Sequence, residues 1–68
     1  MNMIPVASSN IYSVGYDDDI LYVRFHSGGL YAYFGVPEYV YSNMLHAPSK
    51  GKYLHAHVKG HYRYQRIG

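Results

Sequence analysis

A chain of 68 residues has room for one domain, and at this length folding buries only about 60% of the unfolded surface. It has no cysteine, which excludes a disulfide framework and a cysteine-based zinc site, so firmness must come from self-association or from large aromatics, of which ten are tyrosines. The formal charge of +2 hides a polarity: residues 1–38 hold four acids (Asp17, Asp18, Asp19, Glu38) against Arg24, whereas residues 39–68 hold Lys50, Lys52, Lys59, Arg63 and Arg66 with no acid. That asymmetry suits an anionic partner such as nucleic acid. MNMIPVASSN has neither the basic start nor the apolar run of a signal peptide, and no stretch approaches the roughly 18 apolar residues of a membrane span. The expectation is a cytoplasmic protein with no membrane partner.

Residues 1–7 read as an N-terminal extension and residues 8–66 as the domain. SNIYSVGY predicts a strand with Tyr12, Val14 and Tyr16 on one face. The aspartate triplet 17–19 predicts a turn, since aspartate tolerates left-handed backbone and bonds its own main chain. ILYVRF is the clearest strand, with Leu21, Val23 and Phe25 on one side and Tyr22 and Arg24 on the other. SGG closes a second hairpin and LYAYF forms the third strand. Pro37 opens a helix in which Val36, Val40 and Met44 recur every fourth residue, and Pro48 ends it. Ser49 caps a second helix with Tyr53, Leu54, His57 and Val58 on its buried side and Gly60 at its end. HYRYQRI alternates again and allows a short final strand. The predicted fold is α+β: a three-stranded antiparallel meander, then two short helices packed on one face.

The orientation of Tyr31 and Tyr33 hangs on one loop. A two-residue connection (Ser27-Gly28 or Gly28-Gly29) places Leu30, Ala32 and Phe34 with Leu21, Val23 and Phe25, and leaves Tyr31 and Tyr33 beside Tyr22 and Arg24. A three-residue connection, Ser27-Gly28-Gly29, with a bulge slips the register by one and moves both tyrosines to the Leu21–Val23–Phe25 side. The two-residue loop is the commoner form and is the expectation here. It makes Tyr22, Arg24, Tyr31 and Tyr33 an aromatic platform carrying a cation, suited to stacking bases or meeting another chain. Packing is the competing role for the same tyrosines.

Few groups could carry chemistry. Three consecutive aspartates in a tight turn cannot converge on one ion. His55 and His57 lie about 200° apart on a helix, Gly60 separates His57 from His61, and no acid completes a set, so no metal or other cofactor is expected. A metal-free nuclease built from His55, His57 and Lys59 is the weakest alternative. The expectation is a protein that is not an enzyme. The best-motivated anion site is Ser49-Lys50-Gly51 with Lys52, where backbone N–H groups at a helix start can meet a phosphate; the plain alternative is an N-cap and turn.

SSNIYSVGYD, LYVRF, SGGLYAYFGVPEYVY and APSKGKYLHAHVKGHYRY together resemble the KTSC domain, a small bacterial and phage module also found at the end of some lysyl-tRNA synthetases. The resemblance runs from about Ser8 to Arg66. It includes the Tyr-x-Tyr at Tyr31 and Tyr33, the Ser-x-Gly of Ser49–Gly51, and the aromatic Tyr53. Members more often carry an asparagine near His55; Val58 and Lys59 stand for their Ile-Lys element. The family has no established activity, and its association with tRNA synthetases implies RNA binding. The functional expectation is a non-catalytic module for tRNA or other structured or single-stranded RNA, gripped by Ser49, Lys50, Gly51, Lys52, Lys59, Arg63 and Arg66. The alternative is a protein-interaction or self-assembly module, including a phage accessory or counter-defence protein.

Overall fold

The computed structural model describes residues 2–68. Among them lie β1 (Ile4–Pro5), β2 (Ile11–Asp17), β3 (Ile20–Phe25), β4 (Leu30–Phe34), α1 (Glu38–His46), α2 (Lys50–His57) and β5 (Tyr64–Arg66). The strands stand in that order across one sheet, each antiparallel to its neighbour. The α+β class, the meander, the two helices and the final strand agree with the sequence reading. The meander also gains a strand at its start. Ile4 and Pro5, read as an extension, pair with Val14 and Ser13 and form one edge of the sheet.

The two hairpins differ in their loops, and that difference sets the faces of the sheet. Asp17 pairs with Ile20, leaving Asp18 and Asp19 as a two-residue turn with φ of 51° and 63°. Two left-handed residues give a turn whose twist matches that of the strands, and asparagine and glycine fill it best. Asp18→Asn is therefore expected to stabilise the fold by about 0.5 kcal/mol while thinning a row of negative charge. A thermal melt should rise by about 2–4 °C; a fall would mean that Asp18 has a specific role in the turn.

Between β3 and β4 the loop has three residues, not the expected two, and they are His26–Gly28 and not Ser27–Gly29. Gly28 N–H donates to Phe25 C=O at 2.9 Å, and Phe25 N–H donates to Gly29 C=O at 2.9 Å. Gly28 takes φ +108°, the positive-φ residue that a three-residue loop places after a turn. The register follows: Leu21 faces Tyr33 and Val23 faces Tyr31. Tyr31 and Tyr33 thus share the Leu21–Val23–Phe25 face, and Tyr22 and Arg24 lie on the opposite one with Leu30, Ala32 and Phe34. The expected platform of Tyr22, Arg24, Tyr31 and Tyr33 does not exist as one surface. A second shift, between Ile11 and Ser13, leaves Tyr12 unmatched on β2. This bulge takes Tyr12 off the Val14–Tyr16 face into the open, edge-on to His26 with ring centroids 5.6 Å apart.

Both helices cover the face that bears Tyr33. Val36, Val40 and Met44 from the first helical segment, with Leu54 and Val58 from the second, pack on Ile11, Val14, Leu21, Val23 and Tyr33. α1 ends as Ala47 turns extended before Pro48. Ser49 caps α2, its hydroxyl accepting from Lys52 N–H at 3.2 Å. Leu54 is the buried residue of α2. His57, expected on the buried side, is exposed and lies against Tyr53 with centroids 4.5 Å apart. On the uncovered face Ile20, Tyr22, Arg24, Leu30 and Phe34 are half-buried and stand over the small, buried Ser13, Gly15 and Ala32.

A tyrosine hydroxyl ties one edge of this core. The Tyr16 hydroxyl donates to Val36 C=O at 2.6 Å, with the Asp19 carboxylate 3.1 Å away, and the Tyr41 ring stacks on it at 5.3 Å. Burial foremost, then the Asp19 hydrogen bond and charge, raises the Tyr16 phenol above its ordinary range. Burial also raises Tyr41, and burial with Tyr31 and Tyr64 nearby raises Tyr33. A phenol raised on folding leaves stability intact below the unfolded value of about 10. Above it the unfolded chain loses protons first, so stability falls as pH climbs through the higher folded values. Alkaline titration followed by tyrosinate absorbance and circular dichroism should show late-titrating phenols ionising together with unfolding. Ionisation of every tyrosine near pH 10 in a still-folded chain would contradict this.

Candidate functional site

Two grooves meet at the end of the sheet that carries the His26–Gly28 loop. The first, of about 520 Å³, is lined by Phe25, Ser27, Tyr31, Tyr33, Lys59, Gly60 and Tyr64. It exists because the three-residue loop turns Tyr31 and Tyr33 toward the helices, and because β5 pairs Tyr64 with Tyr33. Tyr64 packs beside Tyr33 and Tyr31 at centroid distances of 5.7 and 5.9 Å, while Phe25 meets Tyr31 edge-on at 5.5 Å. Tyr33 is 3% exposed and forms the floor; Tyr64 is 62% exposed and offers a free ring. Lys59 Nζ sits 5.5 Å from the Phe25 ring centroid on the helical side, within cation–π reach. Gly29 is needed here for close approach: a Cβ would meet the Tyr31 ring at 2.8 Å.

The second groove, of about 650 Å³, is polar. Ala7, Ser8, Ser9 and Asn10 form one wall, and Pro48, Ser49, Lys50, Gly51, Lys52, His55 and Lys59 form the other. Ser8 Oγ accepts from the N–H groups of Asn10 and Ile11 at 3.3 and 3.2 Å, which fixes the first wall. Gly51 faces it, with Asn10 Nδ2 and Ser8 Oγ at 3.6 and 4.0 Å from where a Cβ would stand. Lys50 Nζ donates to Ala47 C=O at 3.0 Å and so is partly committed to the end of α1. Lys52 and Lys59 are exposed.

Five of the seven predicted anion-site residues, Ser49, Lys50, Gly51, Lys52 and Lys59, therefore share one groove. Arg63 stands apart beside a shallow depression formed by Gly60, His61, Tyr62 and Tyr64. Arg66 lies on edge strand β5 opposite Tyr31, its Nε donating to Gly68 C=O at 2.9 Å. Tyr31 and Tyr33 line the aromatic groove, whereas Tyr22 and Arg24 occupy the far face of the sheet. Sequence reasoning missed Phe25, Tyr64, His55 and the Ser8–Asn10 wall as groove residues. The alternation of HYRYQRI was the available signal for Tyr64, since a final strand against LYAYF sets tyrosine opposite tyrosine.

The acids and the lysines of the polar groove lie toward opposite ends of the sheet, while Arg63 stands near the acidic end, its C=O accepting from the N–H of Phe34, the partner of Ile20, at 2.8 Å. The acidic turn 17–19 lies at the start of β3, and Val36, two residues before Glu38, bonds Asp19 through its N–H at 2.9 Å. The aromatic groove runs back along the sheet to Tyr33 and Tyr64, level with Leu21, but the polar groove with its lysines lies beyond the other end of β3, about 17 Å away along the strand. That is about two Debye lengths at physiological ionic strength, so the acids hardly screen the lysines from an anion.

Fold and grooves together define a class: a five-stranded α+β domain with helices on one face and an aromatic groove adjoining a cationic one. The chain belongs to the KTSC domain family, whose profile matches residues 7–62, as the resemblance implied. A KTSC domain protein from Yersinia pestis has a crystal structure that superposes with a TM-score of 0.94 at 40% identity, covering 98% of this chain and 97% of that one. An uncharacterized protein of Stutzerimonas stutzeri is 43% identical over 70 residues, spanning 98% of this chain and 99% of the relative. A lysine–tRNA ligase from Nostoc is 43% identical over 47 residues, which cover 69% of this chain and 8% of the ligase. The chain thus corresponds to a small segment of that enzyme. No helix among the described residues is long and apolar enough to cross a membrane.

Proposed function

We propose that this domain is a non-catalytic cytoplasmic module that binds RNA at the junction of its two grooves. The observation that carries this reading is Lys59, one ammonium that lines both the aromatic groove and the polar groove. Stacking surface and phosphate-neutralising charge are the two requirements for holding a single strand, and here they adjoin. Lys52 and the Ser8–Asn10 wall extend the polar side along the direction a backbone would follow. Kinship with a segment of a tRNA ligase supports the same partner class.

Fluorescence anisotropy with single-stranded RNA at several salt concentrations tests it. Neutralising two to four phosphates predicts a log–log salt slope of about −1.4 to −2.8. Absence of binding at low salt, or binding indifferent to salt, would remove the reading. A second reading, self-assembly or a protein partner, is favoured by the uncovered face of Ile20, Tyr22, Leu30 and Phe34 around Arg24. It predicts an oligomer in sedimentation that Phe34→Glu disperses, with RNA affinity unchanged.

A further inference from the structure

We infer that the aromatic groove is a pocket for one unstacked heterocyclic base, whose own phosphate lies on Lys59. The inference rests on the RNA-binding reading but goes further: it names the recognised unit as a nucleoside monophosphate and assigns its two halves to separate walls. The groove of about 520 Å³ is within the range of small-ligand sites. Its walls are unlike each other. The strand side is aromatic, with a buried Tyr33 floor and a Tyr64 ring 62% exposed. Tyr33 and Tyr31 approach Tyr64 tilted at 37° and 45°, so neither stacks flat on it, and the exposed ring has surface left to stack.

The helical side carries one positive charge, Lys59 Nζ, held over Phe25. A flat ring with an anion a few ångströms away matches this pairing of a free ring and a cation. A base within a duplex is already stacked and cannot enter. A free nucleotide and a single strand present the same chemistry, and the length of the ligand tells them apart.

The test is an amide NMR titration of the full chain with a nucleoside 5′-monophosphate, the parent nucleoside and ribose 5-phosphate. The monophosphate should move the amides of Phe25, Tyr31, Lys59 and Tyr64, and the other two ligands should bind about tenfold more weakly or worse. Tyr64→Ala should lower monophosphate affinity about tenfold or more, the loss of one stacked base. Lys59→Met should bring the monophosphate down to the nucleoside and leave the nucleoside unchanged. Both side chains are exposed, so neither variant threatens the fold. Equal binding of ribose 5-phosphate and the monophosphate, or a monophosphate affinity indifferent to Tyr64→Ala, overturns the pocket.

Single-stranded RNA that binds, while the monophosphate leaves the groove amides unmoved, overturns the pocket and spares the RNA reading. Failure of both ligands removes both. Oligonucleotides of increasing length then identify the source. Affinity that plateaus at one residue marks a free nucleotide, and affinity that climbs with length and steepens with salt marks a strand.

Discussion

Tyr33→Ala is expected to cost about 3–5 kcal/mol, at least about a third of the stability of a domain this size at about 0.05–0.15 kcal/mol per residue. The urea midpoint should fall by at least the same fraction. The ring is 3% exposed and packs among Leu21, Val36 and the helical side chains, so its removal leaves a cavity that the sheet cannot close. Tyr64→Ala, in the same groove but largely exposed, should shift the urea midpoint only slightly. The pair of midpoints separates scaffold from surface within one tyrosine cluster. Near-native stability of Tyr33→Ala would refute the packing described for it. Truncating Tyr33 therefore cannot probe assembly or RNA binding, because lost function would report lost folding.

Leu54→Ala should cost about 2–5 kcal/mol, and its damage should concentrate in α2. This helix of eight residues has Leu54 as its buried side chain, too little length to persist alone in water. It also carries Lys50, Lys52 and His55 into the polar groove. Amide exchange over residues 50–57 should therefore speed up ahead of exchange in β2 and β3, and RNA affinity should fall even where the sheet is still folded. Uniform acceleration across the chain would mean that helix and sheet unfold as one unit. Intact affinity in the variant would mean that the polar groove is not where RNA sits.

Elements with strong local signals were legible in the sequence. Three adjacent aspartates make a turn because their φ preference is local, and the structure puts Asp18 and Asp19 in left-handed backbone. Val36, Val40 and Met44 share a stripe because a helix repeats, and Ser49 caps because its hydroxyl reaches a backbone N–H three residues on. The polar groove was half visible, since Ser49–Lys52 are contiguous. Its other wall, Ser8–Asn10, lies some forty residues earlier in the chain and joins only through folding.

The faces of the sheet were not legible, for a countable reason. His26-Ser27-Gly28-Gly29 accommodates a two-residue or a three-residue loop, and one residue of slip turns every side chain of β4 over. Local preference favoured the shorter loop. Tertiary packing selected the longer one, because it buries Tyr33 under the helices and lets Tyr31 lie across Gly29, which has no Cβ to obstruct it.

The family, the order of the main elements, the acidic and basic halves, and a tyrosine pair on the strand LYAYF can all be read from the chain alone. All of these are carried by neighbours in the chain or by period. That Tyr31 and Tyr33 face the helices, that Tyr22 and Arg24 stand apart from them, and that Lys59 joins an aromatic groove to a cationic one follow from folding alone. Those are long-range facts. They depend on β5 returning to β4 and on a register that burial, not local propensity, selects.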